Sequence, residues 1–362
     1  MTPDLVGSAV PASMHAYRLT EWQRPPELVE IPVPSPGPGE VLVRVAGNGL
    51  CHSDITMMGI PGEIGEAIGW RIPFTLGHEA AGWIAAVGNE VVGVDIGDAV
   101  ALMSANSCGV CRWCVAGRDS LCQDNMVGRG YGRDGGLAEF VLARADRDLV
   151  ALGDLDPTTA GTLTDAGATS YHAVARVIGR LRSSGIERPT VAVFGIGGLG
   201  TFAVQILRAF GDVTIVAVDQ EASRREHALA LGAHHAVEGI DRGTRRVLLD
   251  LVGPDGLDGI LDIVGTDETI DCGIRSLARG GVFALVGAAG GKLDQPWFST
   301  LPHEAEIFTF QGSSRSDVEA VVGLAREGRI VVESEQFPLA RVADAYERME
   351  AGTLTARAVI IP

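Results

Sequence analysis

The sequence predicts an α/β chain in two parts: a mostly β domain and a doubly wound parallel sheet. Three observations predict it. The chain has 362 residues, 46% of them hydrophobic, enough for two cores at roughly 100–200 residues per domain. From Met14 to about Leu163, short β-rich runs are punctuated by Gly/Pro turns. From about Asp165, apolar strands alternate with helical patterns, the texture of a parallel sheet covered on both faces.

In chain order, residues 1–13 lack Lys, Arg and an apolar core, so they read as a loose extension rather than a secretory leader. Strands are expected at Met14–Leu19, Val41–Val45, Ile84–Val87 and Ala99–Leu102, each bounded by turn residues. Pro32–Gly39 is a rigid turn region. The second domain runs strand Thr190–Phe194, helix Gly198–Phe210, strand Val213–Val218, helix Ala222–Leu231, strand His235–Val237 and helix Gly243–Val252. Strands at Gly259–Val264, Gly281–Gly287 and Glu306–Phe310 follow, with a helix at Asp267–Leu277. Helices at Asp317–Glu327 and Val342–Ala351 and a strand at Ala358–Ile361 return to the first domain, making it discontinuous. Pro189–Leu207 is an uncharged run of 19 residues, near the ~20 of a membrane span. Its four glycines and β-branched start favour a strand, a turn and a helix instead.

Charge argues against one function class. The chain carries 46 acidic and 29 basic residues, a net charge of −17; nucleic-acid binding needs a basic footprint. Glycine is overrepresented, with 48 residues against an average near 7%.

Part of that surplus is a motif. Gly195-x-Gly197-x-x-Gly200 follows an apolar strand and opens a helix, and Asp219 ends the next strand. That context makes it a dinucleotide turn. Gly195 allows the tight turn, Gly197 lets backbone approach a pyrophosphate, and Gly200 permits close packing. With Gly198 and Leu199 they open a helix whose free N–H groups face the phosphates. Asp219 would accept ribose hydroxyls and repel a 2′-phosphate, favouring NAD(H) over NADP(H). Arg224 and Arg225 weigh the other way.

Cys108-x2-Cys111-x2-Cys114-x7-Cys122 packs four thiols into 15 residues. Four thiolates at this spacing match a closed, structural zinc. An iron–sulfur cluster is the rival; the long gap to Cys122 and the missing proline count against it. Cys51-His52-Ser53-Asp54, Gly77-His78-Glu79 and Asp165 are dispersed. Each has a bland reading: a buried thiol, a turn histidine, a helix cap. Cys51, His78 and Asp165 together form the ligand set of an open catalytic zinc. Cys272 has helical apolar neighbours and reads as an inert thiol.

With these residues in view, the chain resembles the zinc-dependent medium-chain alcohol dehydrogenases. Gly77-His78-Glu79-x2-Gly82-x5-Gly88-x5-Val94 fits that family's zinc signature, and Gly135–Phe140 and the other motifs occur in its order. Aspartate at 165, where cysteine also occurs, is most like the bacterial NAD-dependent secondary-alcohol dehydrogenases. The resemblance implies a GroES-like catalytic domain at 14–164 and 312–362, a Rossmann cofactor domain at 165–311, and an active site in the cleft between them. It implies reversible oxidation of secondary alcohols to ketones, by hydride transfer from a zinc-bound alkoxide to NAD. Ser53 would take the alcohol proton and pass it towards the nicotinamide ribose; Thr56 stands where many relatives end the relay in histidine, and His52 would instead finish the relay or contact the cofactor phosphates. Asp54 would orient His78, Glu79 would ligate transiently during exchange, and Arg357 would meet the cofactor phosphates. Residues 59–71, longer than usual, would shape the substrate entrance. One catalytic and one structural zinc per chain, a cytoplasmic setting, no membrane or nucleic-acid partner, and a homodimer or homotetramer joined at the sheet edge near Gly281–Gly287 complete the expectation. The alternatives are a primary, aromatic or polyol alcohol dehydrogenase, an aldehyde reductase, a zinc-independent quinone or enoyl reductase, and a cofactor binder without catalysis.

Overall fold

The computed structural model describes residues 9–241 and 243–362. Residues 1–8 of the expected extension lie outside them, and Ser13 already belongs to a strand, Ser13–Leu19. The described residues divide into two units: those up to Ala168 with Gly312–Pro362, and Thr169–Gln311.

The first unit is built on the strand Glu40–Gly49, seven of whose ten residues are non-polar or glycine, the exceptions being Glu40, Arg44 and Asn48, and eight of which are buried. A strand covered on both faces needs such a run. It pairs antiparallel with Glu79–Val87, Phe140–Arg144 and Arg357–Ile361. Val41, Val43, Val45, Ile84, Val100, Leu102 and Val141 fill the space beneath. Arg357–Ile361 also pairs in parallel with Ser334–Pro338, so this late segment lies in the same sheet as Glu40–Gly49. A second core holds Tyr17, Leu50, Trp70, Phe74, Phe337 and Tyr346.

One buried ion cluster anchors the approach to the four-cysteine segment. Asp148 accepts from Arg144 Nε at 3.1 Å and Nη2 at 2.6 Å, and from Arg129 Nη2 at 3.4 Å. Arg129 also donates to the carbonyls of Met103 and Leu142, and Arg144 to that of Ser107. Burial raises the Asp148 pKa, but the two guanidinium groups outweigh it and hold the carboxyl below its usual value.

The second unit is a six-stranded parallel sheet. Its spatial order is His235–Glu238, Thr214–Asp219, Thr190–Phe194, Leu257–Asp262, Leu277–Leu285, Glu306–Thr309. The order reverses around Thr190–Phe194, the switch point at which such sheets bind ligands. Helices Gly198–Phe210, Ala222–Leu231, Thr244–Val252 and Asp267–Ser276 alternate with the strands. The uncharged run from Pro189 is strand, turn and helix, and no described helix is long and apolar enough to cross a membrane. One expectation is corrected. The strand at 281–285 is paired on both sides; the sheet edges are His235–Glu238 and Glu306–Thr309.

Candidate functional site

Gly49 and Glu79 face each other across two paired strands. The chain just after the first, Cys51, and just before the second, His78, therefore emerges side by side. Gly77 has φ +94°, and a Cβ there would lie 2.7 Å from Leu137 Cγ and 2.8 Å from the Asn48 amide. Only glycine makes the turn that aims His78. Asp165 follows the short turn Gly161–Thr164, where a Cβ on Gly161 would collide with the Glu79 carbonyl oxygen. Ligand atoms of Cys51, His78, Glu79 and Asp165 all lie within 4.8 Å of one another.

His78 is buried and oriented from behind. Its Nδ1 faces Asp54 Oδ1 at 2.9 Å, which assigns the proton there and turns Nε2 toward the cluster. Nε2 lies 3.6 Å from Asp165 Oδ2 and 3.4 Å from Ser53 Oγ. Burial lowers the His78 pKa, yet Asp54 and Asp165 outweigh it and raise it well above 6.5. Burial likewise raises Asp165, and the contact with His78 reverses that, so its carboxyl is held below the usual range. The cluster thus favours positive charge at its centre. Behind it, Arg357 pairs with Glu79 through both Nη2 and Nε, the latter at 3.2 Å. Burial pushes the Glu79 carboxyl up to about 8 against the pull of Arg357. A thiol, an imidazole and two carboxylates converging on one point fit zinc.

The second cluster is local. The ligand sulfurs of Cys108, Cys111, Cys114 and Cys122 lie within 4.8 Å of one another, and Cys108 Sγ is 3.9 Å from Cys114 Sγ. Disulfide sulfurs sit about 2.05 Å apart. A tetrahedron with Zn–S bonds of about 2.3 Å has edges of about 3.8 Å, so the spacing fits a closed zinc site. Backbone N–H groups point at the sulfurs: Cys111 N to Cys108 Sγ at 3.3 Å and Cys108 N to Cys122 Sγ at 3.4 Å. Hydrogen bonds from Val110 and Cys111 draw the Cys108 thiol down to about 7, while burial pushes Cys114 up to about 12.

In the second unit, Gly195 has φ +89°, and a Cβ on Gly200 would collide with the Gly195 carbonyl oxygen. The space beside Gly197 is open. Gly198 and Leu199 open the helix Gly198–Phe210. Asp219 Oδ2 accepts the Ile196 N–H at 2.7 Å, and Oδ1 accepts that of Glu221 at 2.9 Å. The carboxylate therefore braces the glycine turn. Arg224 Nη1 is 3.9 Å from Asp219 Oδ2. Arg225 is turned back onto the carbonyls of Asp219 and Gln220.

Ser53, His52 and Thr56 are exposed on the helix His52–Met58. Arg357, expected at the cofactor phosphates, is placed with its guanidinium on Glu79 and is 9% exposed. The stretch 59–71 contains the helix Gly62–Ala67, on which Trp22 lies; a Cβ at Gly62 or Gly65 would meet its ring at 2.7 or 2.5 Å. Sequence reasoning missed Tyr131, whose ring is edge-on to His78 with centroids 6.3 Å apart, and Tyr346, which donates to Asp54. Neither stands in a motif.

Comparison with known proteins now has a geometry to explain. Residues 37–154 match the alcohol dehydrogenase GroES-like domain, and residues 198–327 match the zinc-binding dehydrogenase family. The chain is 32% identical to the D-arabinose 1-dehydrogenase (NADP(+)) of Saccharolobus solfataricus, over 96% of this chain and 97% of that protein. It is 33% identical to an NAD-dependent alcohol dehydrogenase of the same organism, over 96% and 100%. A crystal structure of the alcohol dehydrogenase of Aeropyrum pernix superposes with a TM-score of 0.86, at 32% identity and over 96% and 100% of the two chains. Two metal-binding clusters and a dinucleotide-type sheet make the protein a zinc- and NAD(H)-dependent oxidoreductase. Matched in both domains and along nearly its whole length, the chain belongs to the zinc-binding medium-chain dehydrogenase/reductase family.

Proposed function

We propose that the protein interconverts secondary alcohols and ketones with NAD(H), using Cys51, His78 and Asp165 as catalytic zinc ligands and Cys108, Cys111, Cys114 and Cys122 as structural ones. The supporting observation is the donor set itself: an aspartate completes it, and the Ser53 hydroxyl stands 3.4 Å from His78 Nε2. When bound, zinc would acidify a substrate hydroxyl or polarise a ketone, and NAD(H) would carry the hydride. The residues do the rest. Cys51 and Asp165 bring two negative charges, which balance a dication. Ser53 accepts the substrate proton, and exposed His52 beside it hands that proton to solvent. Asp54 keeps His78 aimed. Glu79, held back by Arg357, stands ready as a transient ligand.

On the cofactor side, Asp219 selects NAD(H) by repelling a 2′-phosphate, with Gly195, Gly197, Gly198, Leu199 and Gly200 forming the phosphate turn. Arg224, partly exposed beside Asp219, contacts the adenosine sugar edge. A cytoplasmic setting suits four thiols kept for a metal. We place self-association at the sheet edge Glu306–Thr309. The exposed pair Trp297 and Phe298, edge-on at 5.4 Å, precedes that strand and would be covered by a second copy.

A sugar or polyol hydroxyl is the second reading, favoured by the relative named for D-arabinose. Zinc analysis and a panel of secondary, primary and polyol substrates with NAD+ and NADP+ in parallel test both. Two zincs per chain and fastest turnover of secondary alcohols with NAD+ are expected. One zinc or fewer removes the two-site assignment, and a preference for primary alcohols or sugars removes the secondary one. Asp165→Ala is expected to lose one zinc and keep the other.

A further inference from the structure

We infer that Tyr346, on the C-terminal helix Val342–Glu350, is a positioning residue for the catalytic metal, acting through Asp54 on His78. The inference rests on the proposed ligand set. Tyr346 Oη donates to Asp54 Oδ2 at 3.1 Å, across a separation of 292 residues. The same oxygen accepts the Cys51 N–H at 3.0 Å. The other carboxylate oxygen faces His78 Nδ1 at 2.9 Å. Two donors thus fix one oxygen of a fully buried carboxylate, and the other is left facing the imidazole.

Geometry makes this a directional device rather than general packing. A carboxylate rotates about its Cβ–Cγ bond unless both oxygens are held, and a tilt of Asp54 would swing the imidazole it steers. The Cys51 N–H sits on the same helix turn as Asp54 and moves with it. Tyr346 comes from a separate element, so its hydrogen bond references Asp54 to the C-terminal part of the unit. Its ring is itself fixed: it is 5% exposed and stacks on Tyr17, with centroids 6.3 Å apart and planes at 24°. A phenylalanine would fill the same core and lack only the hydroxyl. Outer partners of metal-bound histidines set ligand orientation and metal affinity in general.

The experiment measures metal release from full-length, zinc-loaded protein to a chromogenic chelator, with cobalt absorption of the exchanged catalytic site as a second readout. The four-cysteine site in the same molecule is the internal control for folding. For Tyr346→Phe, release from the catalytic site is expected to quicken about three- to tenfold, below the 10–100-fold typical of a direct partner. Release from the cysteine site should stay unchanged, and the cobalt bands should shift. Asp54→Asn sets the scale and should quicken catalytic-site release further. If Asp54→Asn quickens release and Tyr346→Phe leaves rate and bands as in the parent, the role of Tyr346 is overturned while the ligand set stands. If Tyr346→Phe quickens both sites alike, the residue only supports the core, which also overturns the inference. If neither variant alters the catalytic-site metal, the orienting role of Asp54 fails and the inference with it; a parent that holds no zinc beyond the cysteine site removes the ligand set itself.

Discussion

Replacing Asp148 with alanine tests how much of the first unit's stability depends on one carboxylate. In the parent, Asp148 is 3% exposed at its side chain and faces Arg129, Arg133 and Arg144 at 3.4, 3.6 and 2.6 Å. Arg129 is buried to the same degree and keeps only carbonyl partners once Asp148 is gone. Breaking a buried pair by removing one member costs about 3–5 kcal/mol, because the remaining charge is uncompensated. At about 2–4 °C per kcal/mol for a unit of this size, the melting temperature should fall on the order of 10 °C. The pH dependence has a definite sign. The folded pKa of Asp148 lies below its unfolded value near 3.9. Its stabilisation is therefore complete above about pH 4 and disappears as pH falls through the folded pKa. Urea melts followed by circular dichroism, at pH 7 and at steps below pH 5, measure both. A loss under about 1 kcal/mol at pH 7, or a gap between parent and variant that does not narrow in acid, would refute the reasoning.

Three further outcomes follow from the second unit and the cysteine lobe. Gly200→Ala should raise the KM for NAD+ at least about tenfold, since the added Cβ collides with the Gly195 carbonyl and distorts the phosphate turn; an unchanged KM would show that the turn yields freely. Asp219→Ser should narrow the preference for NAD+ over NADP+ by at least about tenfold, read as the ratio of kcat/KM values. It should also weaken NAD+ binding, because the Ile196 N–H loses its acceptor. Cys114→Ser should reduce zinc content by one ion and lower the melting temperature, measured by metal analysis and calorimetry; retention of two zincs would remove Cys114 from the ligand set.

What could be read in the sequence was what is local. Four cysteines within one short loop and three glycines between a strand and a helix carry their geometry in their spacing. Strand and helix positions in the second unit follow the same logic, since each apolar run ends near a glycine or a charge. The catalytic cluster is a different case. Cys51, His78 and Asp165 meet because Gly49 pairs with Glu79 and Gly161 nestles against it, and no spacing rule states that register. Family resemblance supplied it instead. Tyr346 was illegible on both counts: a tyrosine on an amphipathic helix reads as core, and its hydroxyl meets a partner that only the folded sheet brings near. The edge of the parallel sheet was misplaced for a related reason. A strand at 277–285 looks the same in sequence whether or not another strand follows beside it, and Glu306–Thr309 is short.

The ion pair of Arg357 with Glu79 spans 278 residues of chain, and it bears on how the protein is made. The four thiols of the cysteine lobe are all available to a metal once a short loop has left the ribosome. The other centre cannot have its charges in order until the strand Arg357–Ile361 has been synthesised and has paired beside Gly49. The lobe's four sulfurs are thus complete early in synthesis, whereas the buried Glu79 carboxylate gains its guanidinium partner only once that strand is made.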